Sequence, residues 1–214
     1  RIGSEDTSTL NGTLQNITIL FESDSSIEAG GYSFDSHYKF NNSASDMADR
    51  GYGNNVYAGG FAGLAIGYEM LDGISVDYSQ NAAGLAHEKD TPLVYAVQDA
   101  VSGNADLKSE GFVGGIFGLM IDCKAKDLEF TGNEDYKALI YFESSNNPNT
   151  ASVGGGVGAV WAWWLNNTRL IDGMKIKNAH VVGKAYSATQ SNDQYDIYVG
   201  GGIGIMGNGS SGKN

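Results

Sequence analysis

Short runs of alternating apolar and polar residues recur along this chain. In residues 74–78 the apolar side chains alternate with Ser75 and Asp77, and residues 17–21 and 174–176 follow the same pattern. A period of two is typical of a half-buried β-strand. Helical spacing of apolar residues is poor throughout, so the pattern predicts an all-β chain.

A glycine phrase, Gly-Gly-x-x-Gly between apolar residues, occurs four times: YAGGFAGL, FVGGIFGL, SVGGGVGA and YVGGGIGI. It places twelve glycines at matching positions: Gly59, Gly60, Gly63, Gly114, Gly115, Gly118, Gly154, Gly155, Gly158, Gly200, Gly201 and Gly204. The flanking residues favour strands, and paired glycines permit a bend or a close backbone approach. We therefore expect equivalent corners at these positions.

A strand phrase follows each glycine phrase except the last, and one more precedes them all. These phrases are LQNITI at 14–19, LDGISV at 71–76, IDCKAK at 121–126 and IDGMKI at 171–176. The last three carry Asp72, Asp122 and Asp172, 50 residues apart. The repeat unit is therefore about 50 residues, with repeat phrases near 14–19, 57–76, 112–126, 152–176 and 198–205.

Strands that recur at a long period predict a β-solenoid, in which each coil buries its inward side chains on the next. We interpret residues 1–214 as one such domain. Because 50 residues exceed one small coil, each unit is expected to hold two coils, or one coil and a loop excursion. The predicted polar excursions are residues 22–55, 79–110, 131–150 and 184–196.

The phrases GGFAG, GGIFG, GGGVG and GGGIG, with strand phrases such as LDGISV after them, resemble GLUG repeats. Such repeats occur in large secreted and surface-attached bacterial proteins, including adhesins and some immunoglobulin A-specific metallopeptidases. The resemblance covers roughly residues 57–205. It implies a right-handed parallel β-solenoid that forms a stalk or binding region at the cell surface or outside the cell. The long inserts and the bulky WAWWL at 161–165 depart from the family pattern.

Composition narrows the classes of partner. The net charge of −12 disfavours nucleic acid and anionic membranes. No stretch approaches ~20 apolar residues, so we expect no membrane insertion. The chain begins at Arg1 without a leader pattern, which we interpret as a mature or excised segment. Cys123 is the sole cysteine, so an internal disulfide is excluded, and a buried, inert thiol is expected.

Other residue patterns suggest modification or calcium binding. Five sequons could carry N-glycans if the chain is secreted, at Asn11, Asn16, Asn41, Asn166 and Asn208. Asp72, Asp122 and Asp172 would form a column at the 50-residue period and are weak candidates for calcium or catalysis. The simpler hypothesis is that each aspartate hydrogen-bonds its local turn. Two clusters at 133–135 and 192–196 are weaker calcium candidates. No cofactor other than calcium is suggested.

Enzyme motifs are otherwise poorly supported. GIGIMG at 202–207 and GNGSSGKN at 207–214 resemble nucleotide-binding loops but have no following helix. The histidines His37, His87 and His180 are scattered. Trp161, Trp163 and Trp164 favour packing, with a protein interface or a glycan platform as alternatives.

The first strand phrase lacks a glycine phrase before it, and the last glycine phrase lacks a strand phrase after it. The ends of two chains could complete each other, which predicts head-to-tail self-association. The favoured function is a non-enzymatic extracellular solenoid that acts as a stalk segment, an adhesin or a fibre subunit, with a glycan or host protein as ligand. The alternative is a carbohydrate-active β-helix enzyme or a glycan-binding module with acids on one face.

Overall fold

The computed structural model describes residues 2–3, 11–22, 27–31, 56–80, 92–98, 110–135, 138–144, 150–162, 171–185 and 196–208. All regular structure in these ranges is β-strand, so the all-β prediction is confirmed. The strands are β1 (Ile2–Gly3), β2 (Asn11–Leu20), β3 (Ile27–Gly31), β4 (Val56–Gly59), β5 (Ala62–Ile66), β6 (Tyr68–Asp77), β7 (Pro92–Gln98), β8 (Glu110–Gly114), β9 (Phe117–Ile121), β10 (Ala125–Thr131), β11 (Ala138–Ser144), β12 (Thr150–Gly154), β13 (Val157–Ala162), β14 (Ile171–Lys177), β15 (Ala179–Ala185), β16 (Asp196–Gly200) and β17 (Ile203–Asn208). No helix that could span a membrane is found in the described ranges.

Neighbouring strands within each sheet are four strands apart in the chain. Sheet A has the order β1-β5-β9-β13-β17, sheet B β2-β6-β10-β14, sheet C β3-β7-β11-β15 and sheet D β4-β8-β12-β16. All of these pairings are parallel. We call four consecutive strands, one per sheet in the order B, C, D, A, a strand set. Set 1 is β2–β5, set 2 is β6–β9, set 3 is β10–β13 and set 4 is β14–β17.

The main core lies on one face of all four sheets. Alternation supplies it: Leu71, Ile74 and Val76 of β6 are fully buried, while Asp72 and Ser75 are only half-buried. The largest fully buried side chains belong to sets 2 and 3 and their corners, and include Tyr78, Phe112, Phe117, Phe130 and Phe142. The strand phrase in β6 thus buries its apolar residues as alternation predicts.

The predicted register is wrong at one phrase. Lys126, not Asp122, pairs with both Asp72 and Asp172. The strand equivalent to LDGISV is therefore AKDLEF at 125–130, and IDCKAK at 121–126 spans the turn before it. The even 50-residue spacing of the three aspartates is a coincidence of loop lengths.

The predicted excursions are wrong in part, because sheet C lies within them. Strands β3, β7 and β11 fall inside the segments assigned to excursions, and β15 ends at the start of the last one. Each unit therefore passes once through four sheets instead of making two coils. The apolar runs VYAV at 94–97 and LIYF at 139–142 were the missed signal.

Candidate functional site

The glycine phrases form the corner between sheets D and A. Gly59, Gly114, Gly154 and Gly200 are register neighbours in sheet D. A Cβ at Gly114 would meet the carbonyl oxygen of Phe117 and lie 2.7 Å from the amide nitrogen of Gly158. No side chain fits at this approach, so glycine is required there.

Backbone hydrogen bonds link these corners from set to set. Phe61 N donates to Ile116 O at 2.9 Å, and Ile116 N donates to Gly156 O at 2.8 Å. Gly156 N in turn donates to Gly202 O at 2.8 Å. The corners thus extend the sheet hydrogen bonding across the bends, so that adjacent sets are joined there too.

A second apolar cluster lies on the opposite face of the strands at this corner. Val113 and Met120 belong to the main core, whereas Phe112 and Leu119, at alternate positions, belong to the second cluster. Phe112 is fully buried there and stacks on Tyr57 with ring centroids 5.9 Å apart. Sheets A and D are therefore apolar on both faces in the middle of the chain, which single-sided alternation did not predict.

Trp161 is part of this second cluster. Its ring meets Phe112 edge-on, with centroids 5.6 Å apart, an arrangement that aromatic pairs favour. Trp161 is half-buried, in agreement with packing as its main role. Trp163 and Trp164 lie outside the described residues.

The face of sheet B away from the core carries charged residues of alternating sign. Asp72, Lys126 and Asp172 follow one another across three strands, so the lysine separates the two aspartates. Lys175 Nζ lies 3.2 Å from Glu129 Oε1, and Lys177 Nζ lies 3.7 Å from the same atom. The hydrogen bond to Glu129 is the main cause that raises the pKa of Lys175. A recess of about 340 Å³, lined by residues 127–129 and 173–175, opens on this face.

A column of left-handed residues crosses the same sheet. Asn16 and Asp127 have φ of 54° and 50°, and Gly73 and Gly173 have 62° and 90°. The registers make Asn16, Gly73, Asp127 and Gly173 successive neighbours. A Cβ at Gly73 would lie 3.0 Å from Asn16 Oδ1, and one at Gly173 would lie 2.8 Å from Asp127 Oδ1. Polar residues and glycines alternate along this column because each polar side chain occupies the position that a Cβ of the next glycine would need.

Sheet C presents a tyrosine ladder on its outer face. Tyr95 and Tyr141 are register neighbours. The Tyr141 hydroxyl donates to the Glu143 carboxylate, and Lys184 Nζ lies 5.2 Å from the Tyr141 ring centroid. His180 is exposed on the neighbouring β15, as expected for a surface or core-edge histidine, whereas His37 and His87 lie outside the described residues.

The calcium candidates do not converge among the described residues. Asp122 is fully buried in the turn between β9 and β10, with φ of 50°. No group of three or more His, Cys, Asp or Glu in the described ranges could hold a metal ion. In the 133–135 cluster, Asn133 donates to Ser79 O at 2.8 Å and accepts from Asp135 N at 2.9 Å, which is the geometry of a local turn. Calcium binding therefore has no geometric support at these positions. Asn192 and Asp193 lie outside the described residues.

Cys123 and Tyr78 are titratable residues that belong to the main core. Cys123 Sγ donates to Ile121 O at 3.3 Å and accepts from Tyr68 N at 3.5 Å, and burial raises its pKa to about 12. Burial also raises the pKa of Tyr78, whose ring stacks on Phe21 with centroids 4.3 Å apart. The prediction of a buried Cys123 is confirmed. A protonated, enclosed thiol is a poor nucleophile.

Set 4 exposes residues that are buried in set 3. Val199 and Met206 are 51% and 56% exposed, while their register neighbours Val153 and Val160 are 0% and 1% exposed. Strands β14, β15, β16 and β17 are each the last strand of their sheet among the described residues. Set 4 thus exposes apolar side chains at positions that set 4 itself covers in set 3.

Three of the five predicted sequons fall on described strands. Asn11 and Asn16 lie on β2 and Asn208 ends β17, and Asn16 is exposed. Asn41 and Asn166 lie outside the described residues. Glycosylation at any of the five stays a prediction.

No protein-family model, no curated protein and no solved structure matched this chain. The resemblance to GLUG repeats therefore stays a prediction that depends on the glycine and strand phrases alone.

Proposed function

We propose that this chain is a right-handed parallel β-solenoid that acts, without catalysis, as an extracellular stalk segment, adhesin or fibre subunit. The observation that carries the proposal is the strand order: four sets visit sheets B, C, D and A in the same sequence, and each strand pairs with its counterpart four strands away. A chain that winds around a common axis produces this order. Right-handedness is the general rule for crossovers between parallel strands.

Such an architecture has a mechanical use. Each set binds the next through parallel backbone hydrogen bonds and columns of apolar side chains, so load is shared among four sheets. The net charge of −12 keeps the surface soluble. The segments between strands would supply contacts to a glycan or a host protein, while the stacked sets hold them in place.

The resemblance to GLUG repeats supports placing this function outside the cell. The glycines that carry the resemblance lie at the tight corner between sheets D and A, where a Cβ would meet backbone atoms. Their recurrence is thus a requirement of stacking, as expected for a stalk or binding region. The carbohydrate-active alternative gains no support from the described residues. Trp161, the only tryptophan among them, packs against Phe112.

Single-molecule pulling on the chain, held between two folded handle domains, tests the mechanical proposal. Register partners in sheet B at positions 15, 72, 126 and 172 give sets of 57, 54 and 46 residues. We expect unfolding in steps of roughly 150–200 Å, at ~3.4 Å per extended residue, since each set contacts only its neighbours. One low-force event would argue against a load-bearing solenoid. Turnover of any polysaccharide in a glycan panel would overturn the non-enzymatic assignment.

A further inference from the structure

Strand β1 occupies the position that a fifth set would need. Ile2 and Gly3 pair with Ala65 and Ile66 of β5. Through β9 and β13, the same two columns of sheet A end at Met206 and Gly207 of β17. At both ends of sheet A, an apolar residue and then a glycine therefore occupy the same two register positions. Strand β1 consists of these two residues alone, whereas β17 has six residues.

The alternation in sheet B also fits a second copy. The column runs Asn16, Gly73, Asp127 and Gly173, so the next position calls for a side chain. A second copy would supply its own Asn16 there. Its Ile17 and Ile19 would then lie beside Met174 and Ile176, as Ile74 and Val76 already lie beside Ile17 and Ile19.

Charge is distributed unevenly along the sequence. Residues 1–66 contain eight Asp or Glu and three Lys or Arg. Residues 163–214 contain three Asp or Glu and five Lys or Arg. The first segment is therefore acidic and the last is basic. Opposite net charges favour the encounter of unlike ends over like ends.

We propose that set 4 of one copy docks on set 1 of a second copy, and that β17 replaces β1 of the second copy at the edge of β5. Strands β14, β15 and β16 then lie beside β2, β3 and β4 of the second copy, which covers Val199 and Met206. Strand β1 must leave, because it and the incoming β17 occupy the same level of sheet A. This inference depends on the stacked architecture proposed above.

Exchange of a two-residue strand for a six-residue strand adds backbone hydrogen bonds on sheet A. In the separate chain, β1 shields the edge of β5 and so limits uncontrolled pairing there. The contact is heterologous, so repeated addition produces a filament instead of a closed ring unless the rotation closes.

Cysteine cross-linking tests the register of the contact. Leu64 and Ile205 end the column Leu64, Leu119, Ala159 and Ile205. In one chain they are three strand spacings, about 14 Å, apart, which is too far for a disulfide. In the proposed contact they become direct neighbours. We expect the Leu64→Cys/Ile205→Cys chain to form a ladder of disulfide-linked multimers on non-reducing gels, and native Cys123 is buried.

The matched control moves one cysteine to the opposite strand face. Met206 follows Ile205 and pairs in register with Val160 of the main core, on the opposite strand face from Leu64 and Ile205, so Leu64→Cys/Met206→Cys should give no ladder. Ladders from both variants, or from neither while both remain folded by circular dichroism, would overturn the proposed register.

Displacement of β1 has its own test, by light scattering over a range of concentrations. Ile2→Asp weakens the packing of β1 and should lower the concentration for assembly by about tenfold, equivalent to about 1.4 kcal/mol. An unchanged or higher concentration would overturn displacement.

Met206→Glu should abolish assembly because it places a charge in the contact, whereas Ser75→Glu, in set 2, should leave assembly unchanged.

The two proposals fail in different ways. Stepwise unfolding in the pulling experiment with no disulfide ladder would leave the solenoid and overturn the docking. A single low-force event would remove the basis of both.

Discussion

Sets 3 and 4 have nearly the same sequence pattern but differ in burial. Val153 and Val199 are the same residue at paired positions, yet one is 0% and the other 51% exposed. The corner glycines of sets 2 and 4 differ likewise: a Cβ at Gly115, in set 2, would meet Gly155 O, whereas one at Gly201, in set 4, would meet nothing within 4 Å. Burial here depends on having a set on both sides, and the sequence pattern alone does not determine it.

The largest contrast is expected between alanine substitutions at the two corners. Gly115→Ala places a methyl group against Gly155 O and 2.6 Å from Phe130 Cδ2. We expect a loss of about 3 kcal/mol of unfolding free energy, since backbone cannot move aside as a side chain can. Gly201→Ala adds the same methyl group at the equivalent corner and should change stability by less than about 0.5 kcal/mol. Urea unfolding of both variants measures this, and equal losses would contradict the role of stacking.

Truncation of the paired valines gives a smaller contrast. Val153→Ala removes buried methyl groups and leaves a cavity, with an expected loss of about 2 kcal/mol. Val199→Ala should cost less than about 1 kcal/mol, because half of that side chain is already in water. Both variants should be compared by urea unfolding at a concentration where the chain is a monomer. If assembly covers Val199, its cost should rise with protein concentration while that of Val153→Ala does not.

The sequence predicted correctly those strands in which apolar and polar residues alternate regularly. Alternation identified β6 and β14, and the recurrence of glycine identified the corner between sheets D and A. It failed where the local pattern is weaker than tertiary pairing: Asp122 matches Asp72 and Asp172 in spacing, but β10 starts at Ala125 because the loops differ in length. Sheet C was missed because its strands sit within polar segments, although LIYF at 139–142 is a strong strand former.

Sequence reasoning predicted that the ends of two chains could complete each other, but it did not predict which side chains of set 4 are exposed. Val199 has the same β-branched side chain as Val153, and no local signal states how many neighbours a strand has. The equivalence of Ile2-Gly3 to Met206-Gly207 depends on four registers across sheet A. Two residues are too few for a periodic pattern, so only the paired structure reveals it.

The pH dependence of the unfolding free energy should also differ between the middle of the chain and set 4, by a smaller amount. Burial raises the pKa of Cys123 from 9.0 to about 12. Below pH 9 the thiol is protonated in both states and contributes nothing. Above it the unfolded chain loses the proton while the folded chain keeps it, so the free energy of unfolding falls by up to ~1.4 kcal/mol per pH unit. Cys123→Ala should flatten this slope between about pH 9 and 11 in urea titrations, and an unchanged slope would assign it elsewhere.

Lys175 in set 4 gives the smallest expected effect. Its ammonium is exposed, and its pKa is raised mainly by the hydrogen bond to Glu129 of set 3. Glu129→Gln keeps the shape of the side chain and removes the charge, so the pKa of Lys175 should fall toward its ordinary value. Nuclear magnetic resonance of the lysine side chain measures the change, with Glu134→Gln as a control that removes one charge from an exposed turn residue. We expect the unfolding midpoint to stay the same within error, because exposed ion pairs contribute little in water. A clear loss of stability on Glu129→Gln would mean that set 4 is held by this ion pair as well as by backbone pairing, and the contrast between the two sets would then be partly electrostatic.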